Sequence, residues 1–426
     1  MMLAAFLISM FSFIFLNVPI AFSLVLTALV LMMFTGSVSP AIITQNIVRG
    51  IDNFPLMAIP FFVLAGEIMN AGGISKRIVN FAKALIGHVT GGLGYVTVLA
   101  SMLFAGVSGS AVADTSAIGS ILLPVMEEQG YDKNKSTALI VSAGTIGPII
   151  PPSIPMIIFG VIGGVSIVKL FLGGIIPGIL IGIGLMIGWY FHSKKRGYRK
   201  TRRTTLKELW QSTIAAFWAI LLPVIIMGGI LGGIFTPTEA AVVAVVYALL
   251  VGFFAYRELK LSYLPEIFAR AAKSTAVVML VCGAATAAGY LITTAQIPQL
   301  LSNTLLSISN NIVVLMLLIN ILLLLVGLVM DLTPALLILG PILLPIATNF
   351  GLDPIYFGVV MVMNLCIGII TPPVGTVLYV GCGLSGLSMG ELVKPLLSFI
   401  SIMIAVLLIV TYFPGIITFI PNAFGN

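Results

Sequence analysis

Residues 106–152 and 327–373 of this 426-residue chain align with each other at a constant offset of 221, without a gap. The matches fall on residues that shape backbone: Gly106, Gly119, Pro124, Gly130, Gly147, Pro151 and Pro152 meet Gly327, Gly340, Pro345, Gly351, Gly368, Pro372 and Pro373. Each copy holds an apolar run, a polar Gly-containing interruption, a run ending Ile-Leu-Leu-Pro, a short turn, and an apolar segment broken at Ile-Gly-x-Ile-x-Pro-Pro. Broken apolar segments at matching places in two halves are the sequence pointer to the midplane site of a membrane transporter.

Composition agrees, with 60% hydrophobic and 8% charged residues, which excludes an ordinary soluble domain. Cys282, Cys366 and Cys382 sit in apolar runs without paired spacing, so neither a disulfide framework nor a zinc site is indicated. The net charge of +7 needs no nucleic acid to explain it. Eight of the 20 basic residues lie between Lys194 and Lys207, as expected of a cytoplasmic loop. The N-terminus has no basic leader and reads as a membrane segment.

Apolar runs of membrane length place crossings near 2–16, 19–35, 55–70, 136–160, 166–191, 212–233, 237–256, 274–293, 355–380 and 395–420. The stretches 92–126 and 312–347 differ, each pairing two half-length runs around a polar tip. Charge parity leaves two full crossings or one re-entrant hairpin open for each. Length and the polar tip favour re-entrance, because irregular backbone survives at membrane depth only where protein or water covers it. The expected fold is an all-α polytopic membrane protein, an inverted-repeat transporter of about ten crossings plus two re-entrant hairpins. Its first repeat is 1–191 with hairpin 92–126, its basic linker 192–211, and its second repeat 212–426 with hairpin 312–347. Ile74 to His88 reads as an amphipathic helix on the interface, with 297–310 as its counterpart.

The first tip runs from Gly106 to Ser116 and its companion break from Ala143 to Pro148. Hydroxyls of Ser108 and Ser110, with carbonyls freed at Gly144, Gly147 and Pro148, suit a hard cation. In the second half Gly327, Asp331 and Thr333 in the tip, with Gly368 and Thr371 in the break, make the matching set. A Gly-rich packing interface is the alternative for either tip. Asp114 and Asp331 are intramembrane carboxylates and hence functional candidates, or helix caps. Thr236-Pro237-Thr238-Glu239 reads as a capping box. No Arg or Lys lies in either hairpin or break, so an anionic substrate would rest on helix N-termini, hydroxyls and bound cations. Ser110, Asp114, Pro152, Ser153, Thr371 and Pro373 are the candidate substrate residues. No enzyme motif is present.

Phe61-Phe62-Val63-Leu64-Ala65-Gly66, Gly106 to Asp114, Gly147 to Ser153, Phe235 to Ala241 and Ile370 to Gly375 resemble signatures of the large membrane subunit of tripartite ATP-independent periplasmic (TRAP) transporters, and the resemblance covers essentially the whole chain. It implies a multi-pass bacterial inner-membrane protein working with a separate small four-helix membrane subunit and a periplasmic substrate-binding protein. It also implies sodium-coupled uptake of an organic acid, such as a C4-dicarboxylate, a sugar acid or sialic acid, by an elevator motion, with sodium ions as coupling ions and no organic cofactor. A stand-alone anion symporter and a passive channel are the other readings.

Overall fold

A computed structural model describes residues 2–35, 39–198, 200, 202–301, 311–372 and 374–424. Among these the chain is helical and contains no strand. The first half consists of α1 (Met2–Phe15), α2 (Ile20–Thr35), α3 (Pro40–Ile51), α4 (Ala58–Ala71), α5 (Ile74–Ile86), α6 (Gly92–Ser108), α7 (Ala111–Glu128), α8 (Lys133–Gly144), α9 (Ile154–Gly163) and α10 (Ile167–Arg196). The second consists of α11 (Leu206–Leu231), α12 (Pro237–Leu250), α13 (Leu264–Thr294), α14 (Ile312–Gly327), α15 (Leu332–Asn349), α16 (Pro354–Gly368), α17 (Thr376–Ser385), α18 (Met389–Tyr412) and α19 (Gly415–Phe424).

The repeat is visible in the element boundaries. Shifted by 221, the limits of α7 become those of α15, and α8 and α16 begin at the same point. Local chemistry sets these starts: Asp132 accepts from the Lys135 backbone N–H at 3.1 Å, and Asp353, its repeat partner, accepts from Ile355 and Tyr356 at 2.8 Å. Such caps satisfy N–H groups that no intrahelical carbonyl reaches. At α12 the capping box expected from sequence forms, with Thr236 and Glu239 exchanging hydrogen bonds and Pro237 in the first turn.

The two halves interlock. α2 packs on α13 while α12 packs on α4; α7 packs on α17 while α15 packs on α9. Each hairpin is thus seated against the broken helix of the other half. The core between them is continuous, with Phe159, Phe357, Met361 and Leu365 fully buried.

Several expected crossings take another form. Seven helical stretches among the described residues are long and apolar enough to cross a membrane, including Ile167–Arg196, Leu206–Leu231 and Leu261–Thr294. The 136–160 segment is α8 and α9 separated by a break, and 355–380 is α16 and α17. The 395–420 run ends as a helix at Tyr412, because Pro414 cannot continue the backbone ladder. Helix α13 starts ten residues earlier than hydropathy suggests, since Arg270 and Lys273 lower the apolar signal without opposing the helix. Helix α3, capped by Ser39 with Pro40 at its start, is too polar to register as a crossing. The amphipathic α5 forms as expected, whereas most of its proposed counterpart, 302–310, lies outside the described residues.

Candidate functional site

Both hairpin tips open onto one cavity of about 390 Å³. Ser108, Ser110 and Ser116 reach it from the first tip and Asp331 and Thr333 from the second, with Pro148 and Ile369 from the two breaks. Glu67 and Asn70 of α4 and Ser274 of α13 form the facing wall. Ser110 and Asp331, 221 positions apart, converge there because the interlocked hairpins bring their tips together.

At the first tip Gly109 turns the chain with φ +60°, a conformation that favours glycine. Ser110 then caps α7, accepting from Ala113 N–H at 3.4 Å. Capping is therefore Ser110's role and not that of Asp114, which lies in the first helical turn, fully buried, and accepts a hydrogen bond from the Ser108 hydroxyl. The other Asp114 oxygen, Oδ2, is buried with no hydrogen-bond partner, as is Thr115 Oγ1. Both face the break: a Cβ on Gly144 would overlap Thr115 Oγ1, and one on Gly147 would overlap Asp114 Oδ2. The Ala111 carbonyl stands 3.1 Å from the Gly144 Cβ position, and the Gly144 carbonyl 3.3 Å from that of Gly147. A buried carboxylate oxygen and a hydroxyl without hydrogen-bond partners, beside the Ala111 carbonyl and a Gly144 carbonyl that accepts from the Gly147 N–H at 3.2 Å, form a set that a hard cation suits. Thr115 was the residue sequence alone did not single out; its signal was adjacency to Asp114.

Ser153 is buried and committed locally, donating to the Pro148 carbonyl and capping α9 through Met156 N–H at 3.3 Å. It and Pro152, which follows Pro151 through a cis bond, stand behind the cavity and not in its lining, as does Asp114.

In the second half Asp331 occupies the N-cap position of α15 but makes no capping bond. It accepts instead from the Thr376 hydroxyl at 3.0 Å, tying tip to α17. Gly327 and Gly368 touch: a Cβ on Gly368 would stand 2.5 Å from the Gly327 Cα. Hairpin and break thus meet backbone to backbone. Thr371 donates to the Ile367 carbonyl at 2.7 Å and does not line the cavity. Pro373 lies outside the described residues. Below the break a buried polar pair crosses the helices, Asn364 donating to Asn320 Oδ1 at 2.7 Å and Asn320 to Thr411 Oγ1 at 3.3 Å.

A second cavity, about 550 Å³, lies between α3, α9, α13 and α15. Arg49, Asn46, Thr286 and Tyr290 face it beside Ile158 and Pro341. Among the described residues no group of three or more His, Cys, Asp or Glu is gathered as a metal site.

Comparison with known proteins places this architecture. The chain is 45% identical over 401 residues to the 2,3-diketo-L-gulonate TRAP transporter large permease protein YiaN of Escherichia coli (strain K12), covering 94% of each chain. It is 42% identical over 410 residues to the sialic acid TRAP transporter large permease protein SiaM of Vibrio cholerae, covering 96% of each. Against the isethionate TRAP transporter permease protein DctMQ of Oleidesulfovibrio alaskensis the identity is 43%, over 95% of this chain and 64% of that one. The solved YdaH transporter of Alcanivorax borkumensis shares the fold at TM-score 0.66 and 14% identity, over 88% of this chain and 87% of that one. A family model described as "Tripartite ATP-independent periplasmic transporter, DctM component" matches residues 7–416. With that span and those identities, the chain belongs to the large-permease family of the tripartite ATP-independent periplasmic transporters, as a multi-pass membrane protein.

Proposed function

We propose that this chain is the permease of a sodium-coupled, binding-protein-dependent importer of an organic acid in a bacterial inner membrane. The observation that carries it is the convergence of both tips and both breaks on one cavity, with the unpartnered Asp114 and Thr115 oxygens beside it. Sodium would be held by Asp114, Thr115 and the Ala111 and Gly144 carbonyls in the first half, its charge offsetting that of a carboxylated substrate between the tips. Ser110 and Thr333, which line the cavity, would donate hydrogen bonds to that substrate.

The cavity wall formed by Glu67, Asn70 and Ser274 stands next to Arg270, which pairs with Glu67 at 3.1 Å. Basic residues mark the cytoplasmic side, so on this reading the cavity would open inward. The Arg49 cavity, between α3, α9, α13 and α15, would supply positive charge to an arriving anion. An elevator motion is supported by the glycines at the contact between α4, α13 and the hairpins: a Cβ on Gly66 would lie 3.7 Å from Ser108, and one on Gly289 3.9 Å from Pro341. Small residues of this kind let the helices approach closely without interlocking side chains, as a moving contact would require. The two halves act as inverted repeats, 1–191 and 212–426, joined by the basic linker. A small membrane subunit and a periplasmic binding protein complete the system.

The test is uptake into proteoliposomes with the small subunit, with and without a sodium gradient and the matching binding protein. Accumulation requiring both is expected. Accumulation without binding protein would replace this reading by a self-sufficient symporter, and sodium-indifferent equilibration would end the coupled mechanism.

A further inference from the structure

A pocket of about 730 Å³ lies between the α5–α6 turn and the last turns of α10, far from the tips. Lys194 of α10 and Lys200 and Arg203 of the linker line it, and no carboxylate does. None of the three is in an ion pair among the described residues, whereas nearby Arg196 and Lys133 are matched to Asp132 at 2.8 Å and Glu127 at 3.1 Å. Uncompensated cations around one concavity repel each other and favour an anion between them. The remaining wall offers groups of the kind a phosphate takes, the Tyr95 hydroxyl and His88, whose Nδ1 is buried without a partner, while Ser193 donates to the Tyr190 carbonyl at 3.0 Å.

The position indicates the anion's source. Helix α5 is amphipathic and reads as lying along the bilayer surface, so the pocket sits at headgroup level. Leu85 beside its mouth is 46% exposed and Phe191 is 66% exposed, a surface on which acyl chains can lie. We propose that this pocket holds the phosphate of an anionic phospholipid headgroup, joining the amphipathic helix, the first hairpin and the basic linker. A basic pocket between helices recognises headgroups by this chemistry.

The full chain, purified and delipidated, is titrated with phosphatidylglycerol, phosphatidylcholine or inorganic phosphate, and bound lipid is counted by native mass spectrometry. One phosphatidylglycerol is expected to be held, with at least about tenfold preference over phosphatidylcholine. Combining Lys194→Gln, Lys200→Gln and Arg203→Gln lowers that affinity on the order of a hundredfold, while Lys195→Gln, Arg202→Gln and Lys207→Gln together lower it by less than about threefold. Tyr95→Phe, which keeps shape and charge, lowers it about threefold and keeps the proposal testable if the triple variant misfolds. Equal losses in the two triple variants, or no preference between lipids, would overturn the site as a diffuse charge effect. Tight inorganic phosphate binding without retained lipid would reassign it to free phosphate and equally overturn the proposal.

Discussion

The two hairpins share a backbone but not its polar equipment, and the contrast separates what holds the site from what works in it. At the shared cap position the first half has Ser110, which caps its helix, and the second has Asp331, which reaches across to Thr376. One turn later stands Asp114 in the first half and Ala335 in the second. Opposite them, Gly147 makes room for a carboxylate and Gly368 for another glycine. The second half therefore closes on itself backbone to backbone, while the first leaves acidic and hydroxyl oxygens unpartnered. Pseudo-symmetry fixed the geometry; under the proposed sodium coupling, the asymmetry would favour the first half as the cation site.

The comparison is tested most severely at its tightest contact. Gly368→Val puts a branched side chain into the Gly327 backbone; overpacking of this kind costs about 3 kcal/mol, and uptake in proteoliposomes is expected to be abolished. Normal uptake would mean that the second half tolerates separation of hairpin and break. Next in size, Asp114→Asn keeps the shape and removes the charge. The sodium concentration for half-maximal uptake should rise about tenfold to hundredfold, with Asp331→Asn shifting it far less; equal shifts would erase the proposed asymmetry.

A smaller effect concerns packing in the second half. Asn364→Leu strands Asn320 in the core and should destabilise by about 2 kcal/mol, read as a thermal shift of the purified protein. The double variant with Asn320→Leu should lose less than the sum of the singles, and strict additivity would show that the pair does not act as a unit. The smallest test uses another unequal pair: Ser166 and Ser388 both open long helices, but the residue three on is Lys169 in the first half and Glu391 in the second, where a capping box forms. Lys169→Glu should complete the box in the first half and raise the melting temperature by about one degree; a decrease would show that the two helix starts are not equivalent.

Much of this was legible in the chain itself. The repeat, the hairpin limits, the breaks at Gly-x-x-x-Pro-Pro and the amphipathic stretch from Ile74 all rest on local rules, namely which residues turn, cap or interrupt an apolar run. Sequence also located Ser108, Ser110, Pro148, Asp331 and Thr333, which the structure gathers around one cavity. It missed α3, whose Ser39-Pro40 start is a local signal outweighed by polar residues when hydropathy alone is followed.

Other features have no local signature. That Asp114 turns from the cavity towards Gly147, that Gly327 and Gly368 touch, that Thr376 answers Asp331, and that Glu67 and Ser274 face the tips are contacts between elements distant in sequence. The sequence determined the parts and their duplication, because backbone preference acts within a few residues. Only tertiary structure decided which polar groups satisfy one another and which remain open to a ligand, because that depends on how the two halves interlock.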